Sequence, residues 1–136
     1  MRVGQCFDRE ATAVDNREVL IVDSDEGSIQ QVCRFLADFG FRTKVVTCAV
    51  DAVVAARGST PAIILVATQL RDAVGSELKS WLRANPALTA VPIIAMHPPW
   101  EDSRHLQAAA FDGLLRMPTT AAKLGQTLKS AGVEGI

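Results

Sequence analysis

The sequence predicts an α/β domain built on a doubly wound parallel sheet of five strands. Five short apolar runs alternate strictly with stretches whose apolar residues recur at helical spacing. Most of these runs are apolar on both faces, which is typical of strands buried between two layers of helices. The chain has 136 residues, of which 49% are hydrophobic, enough for one domain with its own core. We therefore expect a (βα)5 domain over 18–132, preceded by a flexible extension over 1–17 and followed by a tail over 133–136.

The first two strands are predicted at Val19–Asp23 and Thr43–Thr47, both rich in β-branched residues. Between them, apolar residues at helical spacing predict an amphipathic helix. Asp25 is placed to cap the start of that helix, and Gly40 is placed to end it.

The middle of the chain repeats the pattern. A short helix over 50–57 ends at Gly58 and Pro61, and the third strand follows at Ala62–Val66. This strand is apolar throughout, so we expect it near the centre of the sheet. The third helix is predicted to end near Asn85, because the next residue is proline.

The last two units complete the alternation. The fourth strand is predicted at Val91–Met96, with its proline near the start, where a strand tolerates it. A helix over Trp100–Ala110 and a strand at Gly113–Met117 follow. Thr120 is placed to cap the fifth helix.

Composition excludes several broad functions. Fourteen Lys and Arg against fifteen Asp and Glu give a net charge of −1, so no strong basic field is available to hold a nucleic acid. Aromatic residues make up 5% of the chain, which argues against base-stacking surfaces. We expect neither nucleic-acid nor membrane binding.

The termini and the cysteines indicate a cytoplasmic protein. The first seventeen residues carry charges throughout and lack the apolar segment of a secretory signal, and no apolar run is long enough to cross a membrane. Cys6, Cys33 and Cys48 are widely spaced and form no CxxC pair, so they predict reduced thiols rather than a zinc or redox motif.

In a doubly wound sheet, functional groups gather where the strands end. The residues at these carboxyl ends are Asp23-Ser24-Asp25, Thr47-Cys48, Ala67-Thr68, His97 and Met117-Pro118. We expect any chemistry of this chain at that edge of the sheet.

Four segments in order carry a family resemblance: IVDSDE, AIILVATQLRDAVG, VPIIAMHP and DGLLRMP. With these segments at matching separations, the chain resembles a response-regulator receiver domain of two-component signalling over about 110 residues, Val19–Ala131. The resemblance implies a flavodoxin-like fold with strand order 2-1-3-4-5. It also implies a cis peptide bond between Met117 and Pro118.

The family's chemical positions have largely changed in this sequence. In the family, two acids after strand one and a phosphoacceptor Asp after strand three hold Mg²⁺, a hydroxyl ends strand four, an aromatic residue lies in strand five, and a Lys precedes proline. These positions fall on Asp23, Ser24, Ala67, His97, Leu114 and Met117, with Pro118 retained. A methyl group at Ala67 cannot accept a phosphoryl group, and Met117 removes the cation that would neutralise it. The resemblance therefore implies a degenerate receiver, or pseudo-receiver, with no catalytic residue, metal or cofactor.

The function that follows is a non-phosphorylatable protein–protein interaction module in a two-component or related pathway, and not an enzyme. In the family, helix four, strand five and helix five form the dimerisation and output face. Its candidate contact residues here are Trp100, Leu114, Arg116, Leu124 and Leu128. The implied partner is a histidine kinase, another receiver or an output domain, and a homodimer is equally compatible.

Two alternatives stay open. The first is a working phosphorelay receiver with an unusual acceptor, for which Thr68 is offset to the other face and Asp72 lies far along the loop. The second is a small α/β enzyme, although the sequence has no GxGxxG, GxxxxGK[ST] or GxSxG motif. A thiol–imidazole pair of Cys48 and His97 is its weak candidate site.

Two residues have alternative structural interpretations. Asp23 is expected to form hydrogen bonds or to pair with a base such as Arg71 or Arg116, because a lone carboxylate at a strand end needs partners. Trp100 is either an exposed anchor for a partner or a cover for the edge of the core, and the sequence does not choose between these.

Overall fold

The computed structural model describes residues 17–133. The five strands are β1 (Glu18–Val22), β2 (Arg42–Val46), β3 (Ile63–Ala67), β4 (Ile93–His97) and β5 (Gly113–Arg116). The five helices are α1 (Glu26–Asp38), α2 (Ala49–Gly58), α3 (Gly75–Arg83), α4 (Ser103–Ala108) and α5 (Ala121–Ser130), with a short 3₁₀ helix at Pro86–Leu88. The strands form one parallel sheet in the order β2-β1-β3-β4-β5, which confirms the predicted fold class and strand order.

The sheet separates two layers of the core, and β1 shows how. Val19 and Ile21 pack in one hydrophobic cluster with side chains of α1 and α5, whereas Leu20 and Val22 pack in a second cluster with side chains of α2 and α3. Successive strand residues point to opposite faces, so a strand covered on both faces must be apolar throughout.

Helix α4 is shorter than predicted. The sequence pattern suggests a helix over Trp100–Ala110, but the helix begins at Ser103. The carboxylate of Asp102 accepts a hydrogen bond from the backbone N–H of Arg104 at 2.9 Å, and this cap fixes the start. The residues between Pro98 and the cap instead form a turn, in which the N–H of Glu101 donates to the carbonyl of Pro98.

The two N-caps predicted from the sequence are present. The Asp25 carboxylate accepts from the N–H of Ser28 at 3.0 Å, and the Thr120 hydroxyl accepts from the N–H of Lys123 at 3.2 Å. Gly40, just beyond α1, has a φ of +89°, a conformation that glycine adopts without strain. These local signals place α1 and α5 as the sequence predicts.

Helix α2 is capped from a distant loop. Its own N-cap residue, Cys48, makes no capping hydrogen bond. The carboxylate of Asp72, in the loop after β3, instead accepts from the N–H groups of Ala49 at 2.8 Å and Val50 at 3.1 Å. These backbone N–H groups lower the pKa of the Asp72 carboxyl, so it is ionised at neutral pH and ties the β3–α3 loop to α2.

Over the residues from 17 to 133, no helix is both long and apolar enough to cross a membrane.

Candidate functional site

The strand register brings the predicted site residues together at one edge. Val22 lies beside Val66, and Ala67 lies beside Met96 in the next strand. His97 pairs in register with Arg116 at the end of β5. Because all five strands are parallel, the residues that follow their ends face the same cleft.

This cleft has a volume of about 620 Å³. Its walls come from the loops after β1, β3, β4 and β5 and from the first turns of α1. It is lined by Asp23, Asp25, Gly27, Ser28, Gln31, Ala67, Thr68, Gln69, Met96, His97, Pro98, Pro99, Trp100, Met117 and Pro118. Of the six residues predicted for the degenerate phosphorylation pocket, only Ser24 is not among these, and it is exposed.

Asp23 is the carboxylate at the base of the cleft. It is 7% exposed, and one carboxylate oxygen accepts from the backbone N–H of Asp25 at 3.1 Å. The expected hydrogen bond is therefore present, but the alternative of an ion pair is wrong for the described residues. Arg71 donates instead to the hydroxyl of Thr47, and Arg116 lies exposed at the end of β5.

Burial controls the ionisation of Asp23. Loss of solvent around the carboxyl raises its pKa, since the charged form is the better hydrated one. The backbone N–H groups of Asp25 and Ser24 oppose the shift, and the nearby Asp25 carboxylate adds to it. The net direction is upward, because neither N–H replaces the lost hydration.

Ala67, which the resemblance aligns with the phosphoacceptor of receiver domains, has a small apolar side chain. Ala67, the last residue of β3, is 9% exposed. The next residue, Thr68, is 4% exposed, and its hydroxyl donates to a carboxylate oxygen of Glu101 at 2.5 Å. This bond ties the end of β3 to the loop after β4, and it engages the hydroxyl of the residue that follows Ala67.

Gly75 lets α3 pack closely against the end of β3. Its N–H donates to the carbonyl of Thr68 at 2.9 Å. A Cβ at this position would lie 3.0 Å from the carbonyl oxygen of Ala67 and 3.1 Å from the Cα of Thr68. A larger residue would therefore displace the wall of the cleft.

His97 and Met117 also line the cleft, and the N–H of Met117 donates to the carbonyl of His97 at 2.8 Å. His97 is 7% exposed, and its Nδ1 lies 3.0 Å from the carbonyl oxygen of Pro98, a contact that requires a proton on Nδ1. Met117 is half-buried and packs against the cluster that contains Met96 and Leu115. The Met117–Pro118 bond is cis, as the resemblance implies.

The donor set does not fit Mg²⁺. Among residues 17–133, no group of three or more His, Cys, Asp or Glu side chains is arranged to hold a metal ion. Mg²⁺ requires several oxygen ligands in near-octahedral geometry. Asp23 supplies one carboxylate, and the two positions that the resemblance assigns to the other carboxylates hold Ser24 and Ala67.

The residues predicted for the interaction face differ in their exposure. Trp100 is 85% exposed, which decides between its two alternatives in favour of an exposed side chain. Arg116 is exposed and Leu114 is half-buried. Leu124 and Leu128 are fully buried in the core, so their assignment to the face is wrong. Their i, i+4 spacing marks the apolar stripe that holds α5 on the sheet.

A second apolar surface went unnoticed in the sequence. Val50, Val54 and Trp81 are exposed on α2 and α3, and Trp81 lines a groove between these helices. The neighbours of Trp81 in α3, Leu78 and Leu82, are buried. Helical spacing places all three on one side of α3, and only the packing of α2 shows which of them stays uncovered.

The proposed thiol–imidazole pair does not form. Cys48 follows β2 and His97 ends β4, and two other strands lie between these. Three strand spacings amount to about 14 Å. This separation removes the one candidate site for the enzyme alternative.

The comparisons with known proteins bear on the fold. No family model and no curated protein sequence matches this chain. It is similar in structure to the receiver domain of a sensor histidine kinase from Pseudomonas aeruginosa, which has magnesium coordinated in its active-site cleft. The TM-score is 0.77 at 23% identity, over 88% of this chain and 100% of that one.

Two further structures agree. The chemotaxis response regulator CheY4 of Vibrio cholerae gives a TM-score of 0.78 at 21% identity, over 86% of this chain and 99% of that one. The receiver domain of a signal-transduction histidine kinase from Syntrophus aciditrophicus gives 0.75 at 21% identity, over 86% and 92%. The chain therefore has the fold of response-regulator receiver domains.

Proposed function

We propose that this chain is a receiver-like domain of a two-component or related regulatory pathway that takes no phosphoryl group and acts through protein contacts. The observation that carries the proposal is Ala67 at the end of β3, facing the same cleft as Asp23. A methyl group has no lone pair with which to attack phosphorus. The domain is then a signalling module and not an enzyme, and it works in the cytoplasm.

The surroundings of Ala67 support this interpretation. Phosphoryl transfer depends on an oriented oxygen nucleophile and on cations that neutralise the phosphoryl oxygens. The hydroxyl of Thr68 is buried and donates to Glu101, so it is not presented to a phosphodonor. Met117 contributes a thioether where the family has an ammonium group. A phosphorelay through an atypical acceptor is therefore the weaker candidate.

The partner is proposed to dock on the surface formed by α4, β5 and the loop after β4. Trp100 is the anchor, because an exposed indole offers a large apolar area with little conformational entropy to lose. Leu114 and Arg116 extend the surface along β5. The partner classes are a histidine kinase, another receiver, an output domain or a second copy of this chain.

Phosphorylation is tested directly with acetyl phosphate and Mg²⁺, with intact-mass spectrometry as the readout. We expect no phosphoryl adduct on the wild-type chain or on Ala67→Asp alone, because Ser24 and Met117 still lack the charges that hold the metal and the phosphate. The triple variant Ser24→Asp, Ala67→Asp, Met117→Lys is expected to gain the adduct. An adduct on the wild-type protein would contradict the proposal.

Docking is tested with a photo-crosslinking amino acid at position 100 or, as a matched control, at position 81. Both positions hold an exposed tryptophan, one beside the cleft and one on the α2–α3 surface. We expect crosslinks to a kinase, a receiver or an output domain from position 100 only. Crosslinks to such proteins from position 81 alone would move the interaction face to α2 and α3.

A further inference from the structure

The cleft at the carboxyl edge has an unusual combination of walls. Part of its lining is apolar and includes one aromatic ring, from Pro98, Pro99, Met117 and the exposed Trp100. The lining also carries two carboxylates, the buried Asp23 and the exposed Asp25, which caps α1. Neither lysine nor arginine lines the cleft in the described part of the chain.

Among residues 17–133, no cationic side chain pairs with the buried carboxylate of Asp23. It is more than nine-tenths buried, and the hydrogen bonds it receives among residues 17–133 come from backbone N–H groups of its own loop. A buried carboxylate paired with a cation is far more stable than one left alone. The side chain therefore presents an unmatched negative charge to whatever enters the cleft.

The indole of Trp100 is a second group in the cleft that attracts cations. The face of an aromatic ring carries negative electrostatic potential and attracts cations, with tryptophan the strongest of the side chains. At 85% exposure, its ring is available at the rim of the cleft that Asp23 closes at the base. An anion would be repelled by both groups.

We propose that this cleft binds a small organic cation, an ammonium or guanidinium group on an apolar stem. The charged head lies at Asp23, and the stem lies against Trp100, Pro98 and Met117. The volume of about 620 Å³ falls in the range of small-molecule sites, which enclose roughly 300–1,000 Å³. The cation supplies the charge partner that Asp23 lacks.

The proposal concerns a small molecule and does not depend on phosphorylation or on a protein partner. It is tested by two-dimensional amide NMR with three probes that share one stem: 2-phenylethylammonium, neutral 2-phenylethanol and anionic 3-phenylpropanoate. We expect saturable shifts at Asp23, Ala67 and Met117 with the ammonium, about tenfold weaker binding of the alcohol, and no binding of the carboxylate.

Two substitutions test the contributions of the carboxylate and of the indole separately. Asp23→Asn removes the charge and keeps an oxygen acceptor, and it should weaken the ammonium probe about tenfold while leaving the alcohol unchanged. Trp100→Ala should weaken both probes. Asp38→Asn and Trp81→Ala are the matched controls, since both residues are exposed and neither lines the cleft; they should change nothing.

Equal binding of the ammonium and the alcohol would overturn the proposal, because the cleft would then bind apolar groups without selecting for positive charge. Loss of ammonium binding in Asp38→Asn would do the same, since the attraction would be a general charge effect. A capped lysine peptide serves as the last probe. Binding no tighter than that of the free amine supports a small-molecule site, whereas much tighter binding would assign the cation to a protein chain and overturn this assignment.

Discussion

Asp112 and Asp23 are both aspartates at strand ends, and their surroundings differ sharply. Asp112 lies just before β5, at the edge where the strands begin. Its carboxylate accepts from the guanidinium of Arg83 at 2.6 Å and from the N–H of Ile93 at 2.8 Å. Arg83 also donates to the carbonyl groups of Leu88 and Val91. One ion pair thus joins α3, the 3₁₀ helix, β4 and β5.

Asp23 lies at the opposite edge, where the strands end, and has no such pair among residues 17–133. It is more deeply buried than Asp112, yet within the described part of the chain it accepts hydrogen bonds only from backbone N–H groups of its own loop. The two edges of the sheet therefore differ in how their carboxylates are paired. Among residues 17–133, the aspartate at the amino edge is paired with an arginine, whereas the one at the carboxyl edge has no cationic partner, which is the basis of the binding proposed above.

Removing the ion pair at the amino edge should have the largest effect on stability. Arg83→Ala leaves the carbonyl groups of Leu88 and Val91 and the carboxylate of Asp112 without their donor, at a cost of about 2 kcal/mol in the free energy of unfolding. Urea denaturation followed by circular dichroism measures this. Arg104→Ala is the control, because its ion pair with Asp102 is exposed and should be nearly neutral. Equal losses would show that the hydrogen-bond network of Arg83 at the amino edge has no special role in stability.

Removing the charge of Asp23 at the carboxyl edge should have an intermediate effect on stability, of opposite sign. Burial raises the pKa of the Asp23 carboxyl above its usual 3.8, so folding favours the protonated form and the ionised form weakens the fold at neutral pH. Asp23→Asn should therefore raise Tm at pH 7. The gain should shrink as the pH falls through the raised pKa, because the wild-type carboxyl is then neutral as well. Thermal melts across this range check the sign, and a lower Tm at neutral pH would show that Asp23 stabilises the fold.

The smallest effect on stability is expected at the rim of the cleft. Trp100 is 85% exposed, so Trp100→Ala should change the free energy of unfolding by no more than about 0.5 kcal/mol. The same denaturation experiment applies, and Leu124→Ala, a substitution in the core, provides the contrast with a loss of about 3 kcal/mol. A comparable loss at Trp100 would mean that the ring covers the core after all.

The fold could be predicted because it depends on strong local signals. Strictly apolar strands such as β3 and β4 alternate with amphipathic helices, and right-handed crossovers then leave few topologies. Strand ends were predicted to within one or two residues, and the caps at Asp25 and Thr120 follow from residue type alone. Only α4 differed substantially, because the cap at Asp102 outweighs the apolar pattern before it.

The sequence predicted several of the residues that line the cleft, but not the contacts between them. The position of Ala67 and Met117 follows from strand ends, which the sequence reveals. The contact between Thr68 and Glu101 joins residues 33 positions apart, and no local pattern signals it. The burial of Leu124 was visible in its spacing, but the family resemblance placed it on the interaction face.

The long-range cap of α2 makes that helix a reporter of the cleft. Asp72 follows the cleft residues Thr68 and Gln69 in one short loop, and it holds the first two N–H groups of α2. Any displacement of the loop that widens the cleft also releases Ala49 and Val50 to exchange with solvent. The deuterium uptake of these two amides therefore records opening and closing at a site to which neither residue belongs.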